Sequence, residues 1–298
     1  MKRIETLVFG IYPKSEKLRI KIGRWERHLI STTDLENEIR QETEQVESQW
    51  AESGLSHWAA PLFNWYDIFR PFSTMVSGIR LGPLTRYLET NTFYRIPVLD
   101  GPIALKTDPG MFAEGEEGLP LPLYQSMSEW AFLPGLMTFQ SMSEISGAVN
   151  EEFIERMLTV YRQIIEKTGK KKLFLFEVSD PGKFDYSLYR QIMKPSDTVL
   201  FFSKSPGKDN LSSISERFYS LIDASGSSSD LVADHSMLKG IALLDAHSTR
   251  VESRDLILGK VENTGEDTLL TSNDYLDFLP RVIADRKVSV LGGCSNVR

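Results

Sequence analysis

Cysteine is almost absent: Cys294 is the single one in 298 residues, which excludes an internal disulfide framework and a cysteine-rich metal cage. There is no unbroken apolar run of about 18 residues, the length a helix needs to span a bilayer, and no basic-then-apolar leader. A cytoplasmic protein with no membrane contact is therefore expected. Neither Gly-x-Gly-x-x-Gly nor a Walker pattern occurs before any helix pattern, so a dinucleotide or nucleoside triphosphate site has no support. Positive charge is in deficit, with 34 Lys and Arg against 41 Asp and Glu and a net charge of −7. The longest basic run, Lys170-Lys171-Lys172, falls between a helix pattern and a strand pattern and reads as a solvated loop. Nucleic acid is not an expected partner, because phosphate contacts need a basic face.

What is present is a chain with 41% apolar and 25% charged residues, long enough for one large domain over 1–298. Eight short apolar stretches read as strands, at Leu7–Ile11, Leu55–Ala60, Ala131–Leu136, Leu173–Phe176, Val199–Phe202, Tyr219–Ile222, Gly240–Leu244 and Thr268–Thr271. Helix patterns fall between them. Thr33-Asp34-Leu35-Glu36 reads as a capping box opening a helix that Gly54 ends, Asn150 as the cap of a helix that Gly169 ends, and Arg254–Val261 and Tyr275–Val290 as further helices. Strands alternating with helices eight times predict a (β/α)8 TIM barrel, whose ligands bind among the loops at the strand carboxyl ends. Asp100-Gly101 suits a type I′ turn and predicts a β-hairpin insertion over residues 94–106. Residues 107–128, rich in Pro and Gly, read as an irregular loop.

The stretch Trp65–Pro97 concentrates the polar and aromatic chemistry. Arg70, Arg86 and Arg95 are interleaved with Trp65, Tyr66, Phe69, Phe72, Tyr87, Phe93 and Tyr94. Guanidinium forks pair carboxylates while rings stack, so the mixture suits a flat, anionic, partly aromatic small molecule. A loop excursion packed by its own aromatics, with its arginines solvated, has the same composition. A second cluster, Asp245-Ala246-His247-Ser248-Thr249-Arg250, closes the seventh strand, and its spacing puts Asp245 and His247 on one side of an extended segment. It could move protons near neutral pH or form a hydrogen-bonded corner that orders a loop.

Three segments carry a family resemblance. They are Asp67 to Phe72 with Arg70-Pro71 inside it, Gly82 to Arg86, and Glu89-Thr90-Asn91-Thr92-Phe93-Tyr94-Arg95-x-Pro97. In this order they resemble the amino-terminal barrel of cobalamin-independent methionine synthases. Tyr12-Pro13-Lys14 is similar to the turn closing that family's first strand, with Ile11 where a serine is common. Asp245-x-His247-Ser248-x-Arg250 is similar to its Asp-x-His-Ser-x-Arg, and Glu177 precedes Asp180-Pro181 where the family has Asp-Glu-Pro.

The resemblance implies methyl transfer from a methyltetrahydropterin or folate, or from a methylated corrinoid, to homocysteine. It implies that Tyr12, Lys14, Lys17, Trp65, Asp67, Arg70, Arg86, Asn91, Tyr94, Arg95, Glu177, Asp245 and His247 form the substrate-binding set. Lys14 and Lys17 would steer the donor's acidic tail, Arg70, Arg86 and Arg95 would pair its carboxylates, and Trp65 and Tyr94 would be apolar walls.

The family's catalytic barrel holds zinc with a His-x-Cys after the fifth strand, a Glu after the sixth and a Cys after the eighth. Here those positions carry Phe202-Ser203-Lys204, Asp223 and Asp274. The chain is therefore expected to bind no cofactor of its own and to pair with a zinc-bearing catalytic barrel. Asp223, Asp245, His247 and Asp274 could hold a harder cation. The alternatives are a diverged, metal-independent methyltransferase or lyase using Glu177 and His247, and a structural interaction protein with a vestigial site.

Overall fold

The structure, a computed structural model, describes residues 3–59, 61–88, 90, 92–106, 108–109, 119, 122–178, 184–202, 219–223 (backbone), 240–262 and 267–296. In chain order the elements are β1 (Ile4–Phe9), α1 (Glu16–Trp25), α2 (Thr32–Glu52), β2 (His57–Ala59), α3 (Arg70–Met75), β3 (Val76–Arg86), β4 (Phe93–Leu105) and β5 (Trp130–Pro134). They continue with α4 (Leu136–Ser141), β6 (Glu144–Ile145), α5 (Gly147–Thr168), β7 (Lys172–Glu177), β8 (Thr198–Phe202), β9 (Tyr219–Asp223), β10 (Gly240–Leu244), α6 (Arg254–Glu262), β11 (Thr268–Ser272) and α7 (Arg281–Cys294).

Eight strands form one sheet in the order β2-β1-β11-β10-β9-β8-β7-β5, and every neighbouring pair is parallel. These are the eight strands expected from the sequence. β5, β8, β10 and β11 are buried at every residue, which is why such strands read as unbroken apolar runs rather than alternating ones.

The sheet is strongly curled. Phe9 of β1 stacks on Phe174 of β7 with ring centroids 4.2 Å apart, although the two strands lie five places apart and would be separated by roughly 24 Å in a flat sheet. Phe132, Phe176 and Phe201 join the same stack. No ladder joins the end strands β2 and β5 among the described residues. Side chains nevertheless cross between them: the His57 and Trp130 rings are 5.8 Å apart, and Ser128 Oγ donates to Trp58 O.

The helices start where side chains take up their first amides. The box opening α2 is Ser31 with Asp34, not Thr33 with Glu36: Ser31 Oγ accepts from Asp34 N at 3.1 Å and Asp34 Oδ2 accepts from Ser31 N at 3.2 Å. α5 starts at Gly147, three residues before the expected Asn150, and ends as expected at Gly169 with φ +66. α7 begins at Arg281 instead of Tyr275. Pro280 has no amide hydrogen and holds Leu279 extended (φ −99, ψ 151), so Leu276–Phe278 is left as a separate 3-10 turn.

The hairpin is larger than expected and turns elsewhere. β3 and β4 pair antiparallel from Val76 with Leu105 to Arg86 with Phe93, and Tyr87 N donates to Thr92 O at 2.9 Å across the turn. Asp100-Gly101 lies inside β4, at a bulge between the Ser77–Ala104 and Ile79–Leu99 pairs. Gly78 sits opposite with φ +73, and a Cβ there would collide with the Gly101 carbonyl, so two glycines let the backbones meet. β6 adds to β4 in parallel. The expected loop over 107–128 falls largely outside the described residues.

Candidate functional site at the strand carboxyl ends

Gly10 follows β1 with φ +75, and a Cβ there would lie 2.7 Å from Tyr275 Cβ. The missing side chain admits the Tyr275 ring over the carboxyl ends of the strands, 6.3 Å from Phe176. Phe278 stacks on Tyr275 at 4.8 Å, Tyr87 from the hairpin stacks on Phe278 at 5.9 Å, and Tyr94 meets Tyr87 edge-on. This aromatic shelf separates two polar groups.

Asp67 anchors the first. Only 4% exposed, it accepts from the amides of Phe69 at 2.9 Å, Arg70 at 2.7 Å and Arg95 at 3.3 Å. Arg70 Nε lies 3.4 Å from Asp67 Oδ2 while its guanidinium covers the Tyr66 ring at 4.5 Å. One carboxylate thus ties α3 to the hairpin. Burial, then the Asp67 charge, raise the Tyr94 pKa. The Tyr87 hydroxyl is buried and makes no hydrogen bond of normal geometry among the described residues, and burial followed by the Asp274 charge raises its pKa.

The second group is built from adjacent strands. His247 Nε2 lies 3.2 Å from Oδ2 of Asp274, a carboxylate 1% exposed whose Oδ1 accepts from Tyr275 N at 2.8 Å. The ring also meets Phe278 edge-on at 4.8 Å. Asp245 is not the ring's partner: its Oδ1 accepts from the His247 amide at 2.9 Å and from Asn273 Nδ2 at 3.4 Å, which makes it a turn-former. Asn273 Oδ1 in turn accepts from Ala246 N at 2.7 Å. A buried carboxylate behind a half-exposed imidazole fixes the ring's orientation, an arrangement able to transfer a proton.

Glu177 ends β7 and is fully enclosed. Its carboxylate accepts from Met137 N at 3.3 Å, Thr138 N at 2.8 Å, Thr138 Oγ1 at 2.7 Å and Tyr189 OH at 2.8 Å. It thereby caps the first turn of α4, and Gly135 makes room for it. Burial pushes its pKa up to about 7 against the opposing pull of these donors.

The remaining expected residues lie apart from this shelf. Tyr12 OH donates to Asp285 Oδ1 at 2.7 Å under the Arg281 guanidinium. Trp65 is wholly buried and donates to Leu123 O at 2.9 Å, so its ring packs the core rather than walling a ligand. Lys14 Nζ donates to Trp65 O at 3.0 Å; burial lowers its pKa, opposed by Asp277 and Glu42. Lys17 pairs with Glu38 at 2.6 Å. Arg86 and Arg95 are exposed on the hairpin, with Arg95 Nη1 donating to Gly82 O at 3.2 Å. Asn91, Glu89 and Asp180-Pro181 lie outside the described residues. Sequence reasoning missed Tyr275 and Phe278, and grouped Asp274 with His247 only as members of a possible cation set; the signal was an aromatic following an acid directly after a buried strand.

No family model matches the sequence, and no curated protein matches it. The structure does have close counterparts. A B12-independent methionine synthase from Shewanella sp. W3-18-1, solved in complex with selenomethionine, superposes with a TM-score of 0.72 over 98% of this chain and 97% of its own, at 10% identity. A protein assigned as a vitamin-B12-independent methionine synthase from Listeria monocytogenes gives 0.61 over 95% and 94%, at 14% identity. The fold is that of B12-independent methionine synthase structures.

Protein zinc sites are built from thiolate, imidazole and carboxylate ligands, and the one thiol of this chain stands away from the strand carboxyl ends. Cys294 is buried in α7, with Sγ donating to Val290 O at 3.3 Å, and burial raises its thiol pKa to about 11. It lies near the strand amino ends, where Asn296 N donates to Ile4 O. Among the described residues the donors at the shelf are carboxylates and one imidazole. Among the described residues no three His, Cys, Asp or Glu side chains converge as a metal group; the side chain of Asp223, the last residue of β9, lies outside the description. No helix among the described residues is long and apolar enough to cross a membrane.

Proposed function

We propose that the curled sheet closes into a (β/α)8 barrel spanning the chain, and that this barrel serves methyl transfer to homocysteine as the zinc-free partner of a zinc-bearing methionine synthase barrel. The observation carrying the reading is the conjunction of a shared fold with methionine synthase structures over 98% and 95% of the chain with Lys204 and Asp274 where the family's zinc ligands would carry sulfur. Closure is supported by the Phe9–Phe174 stack and by the contacts crossing between β2 and β5.

In this reading the partner supplies the metal that activates the thiol. Phe278, the partly exposed ring of the shelf, offers an apolar contact to a pterin ring, backed by the buried Tyr87 and Tyr275. His247, set by Asp274, stands at the edge of the shelf to exchange a proton or donate a hydrogen bond, and Asp245 shapes the loop that presents it. Titration calorimetry with a polyglutamylated methyltetrahydropterin, with and without the partner, tests this. Binding that His247→Ala and Phe278→Ala weaken supports the reading; identical heats for wild type and variants contradict it.

The His247–Asp274 pair, 3.2 Å apart, also favours a second reading, a metal-independent methyltransferase or lyase acting alone. Glu177 is too enclosed to share that work. Turnover by the isolated, chelator-treated chain that Asp274→Ala abolishes would select it.

A further inference from the structure

The outer face of the hairpin has an arrangement that the shelf does not use. In the paired ends of β3 and β4, Leu84 lies opposite Arg95 and Arg86 opposite Phe93. Residues two apart on a strand share a face, so these four side chains form one patch with the apolar and cationic groups on its two diagonals. All four are exposed, Leu84 at 56% and Phe93 at 52%, while Tyr94 between them is buried against the shelf. Leu88, just beyond the end of β3, is exposed as well and held at φ +50, a left-handed conformation that costs a branched residue energy. Three of the eight exposed large apolar side chains among the described residues thus fall within ten positions. Neither Arg86 nor Arg95 has a carboxylate side-chain partner among the described residues, unlike Arg80, which pairs with Asp100 at 2.7 Å on the same hairpin.

Resting on the reading of a paired barrel, we propose that this face docks the partner protein, and that the partner presents carboxylates around an apolar spot. Two guanidiniums with no carboxylate side-chain partner among the described residues, on a chain of net charge −7, select an acidic surface, and the central Leu84 and Phe93 supply the dry contact that interfaces need. A second copy of this chain fits poorly, because a two-fold pairing of this face opposes cation to cation. Strand addition to the free edge of β3 is discouraged by Pro83 and the register shift between Leu81 and Leu84.

The test uses the full chain with the purified zinc-bearing methionine synthase barrel of the same cell, by sedimentation and calorimetry. Wild type forms a one-to-one complex that weakens with salt, and the double variant Arg86→Glu/Arg95→Glu loses at least tenfold in affinity while keeping its melting temperature. A Phe93→Cys variant gives an independent readout: because Cys294 is buried, a maleimide reports on position 93 alone, and complex formation protects it. An undiminished complex with the double variant, or an unprotected thiol in the complex, overturns this face while leaving the pairing intact. Absence of any wild-type complex overturns both. Displacement of the partner by a single-stranded oligonucleotide or by a polyglutamate peptide alone, at equal concentration, also overturns the assignment, since the face would then be a general anion site.

Discussion

Glu177 is held by four donors and its pKa is nonetheless raised to about 7, because full burial outweighs them. A folded-state pKa above the unfolded value of 4.5 means the native state binds the proton more tightly. The associated stability is fully present below about pH 4.5 and is lost as pH rises through 7, in total about 3 kcal/mol. Glu177→Gln removes the titration, so its stability relative to wild type should rise between pH 5 and pH 8, read by urea denaturation; a difference independent of pH would contradict the assignment. Gly135→Ala puts a methyl inside the Glu177 carboxyl group and should lower the melting temperature far more than Gly147→Ala, where nothing lies within 4 Å. Similar effects at the two positions would show that the Glu177 cap yields. The importance of Glu177 was legible from its place at a strand end. Its structural task was not, because three of the four donors come from Met137 and Thr138, 40 and 39 positions earlier in the chain, and the fourth from Tyr189, 12 positions later.

Elements were legible where a single physical rule dominates. Continuous apolar runs marked strands such as Leu173–Phe176 and Val199–Phe202 because both faces of a parallel sheet are covered, and Gly169 marked a helix end because few other residues tolerate its φ. Rules in competition misled. Asp-Gly suits a turn, but Gly101 is needed where Gly78 approaches it, so the turn moved to residues 87–92. Thr33 and Glu36 fit the capping-box pattern at the start of α2, but the box that closes uses Ser31 and Asp34. Ser31→Ala should therefore cost about 1 kcal/mol by chemical denaturation, and Thr33→Ala much less; the reverse order would restore the box at Thr33. Leu88→Gly, freed of the left-handed strain, should be neutral or raise stability by up to about 1 kcal/mol, and a marked loss would show that the Leu88 side chain packs.

For the molecule as a whole, composition and strand count pointed to the fold, and the spatial partnership of the site did not follow from them. His247 and Asp274 are 27 residues apart and meet because β10 and β11 are neighbours. Asp245, only two residues away, looked the nearer partner and is a turn-former instead. The aromatic shelf likewise combines the hairpin with the segment after β11. On the function proposed above, a chain with this fold, no thiolate at the strand carboxyl ends and a cationic face without a carboxylate partner among the described residues works beside a metal-bearing partner rather than alone. The direct measurement is methionine formation from homocysteine and a polyglutamylated methyltetrahydropterin by the zinc-bearing barrel of the same cell, titrated with this chain. The account predicts a rate that rises and saturates at one equivalent, with this chain alone inactive. A rate indifferent to its addition would contradict the account.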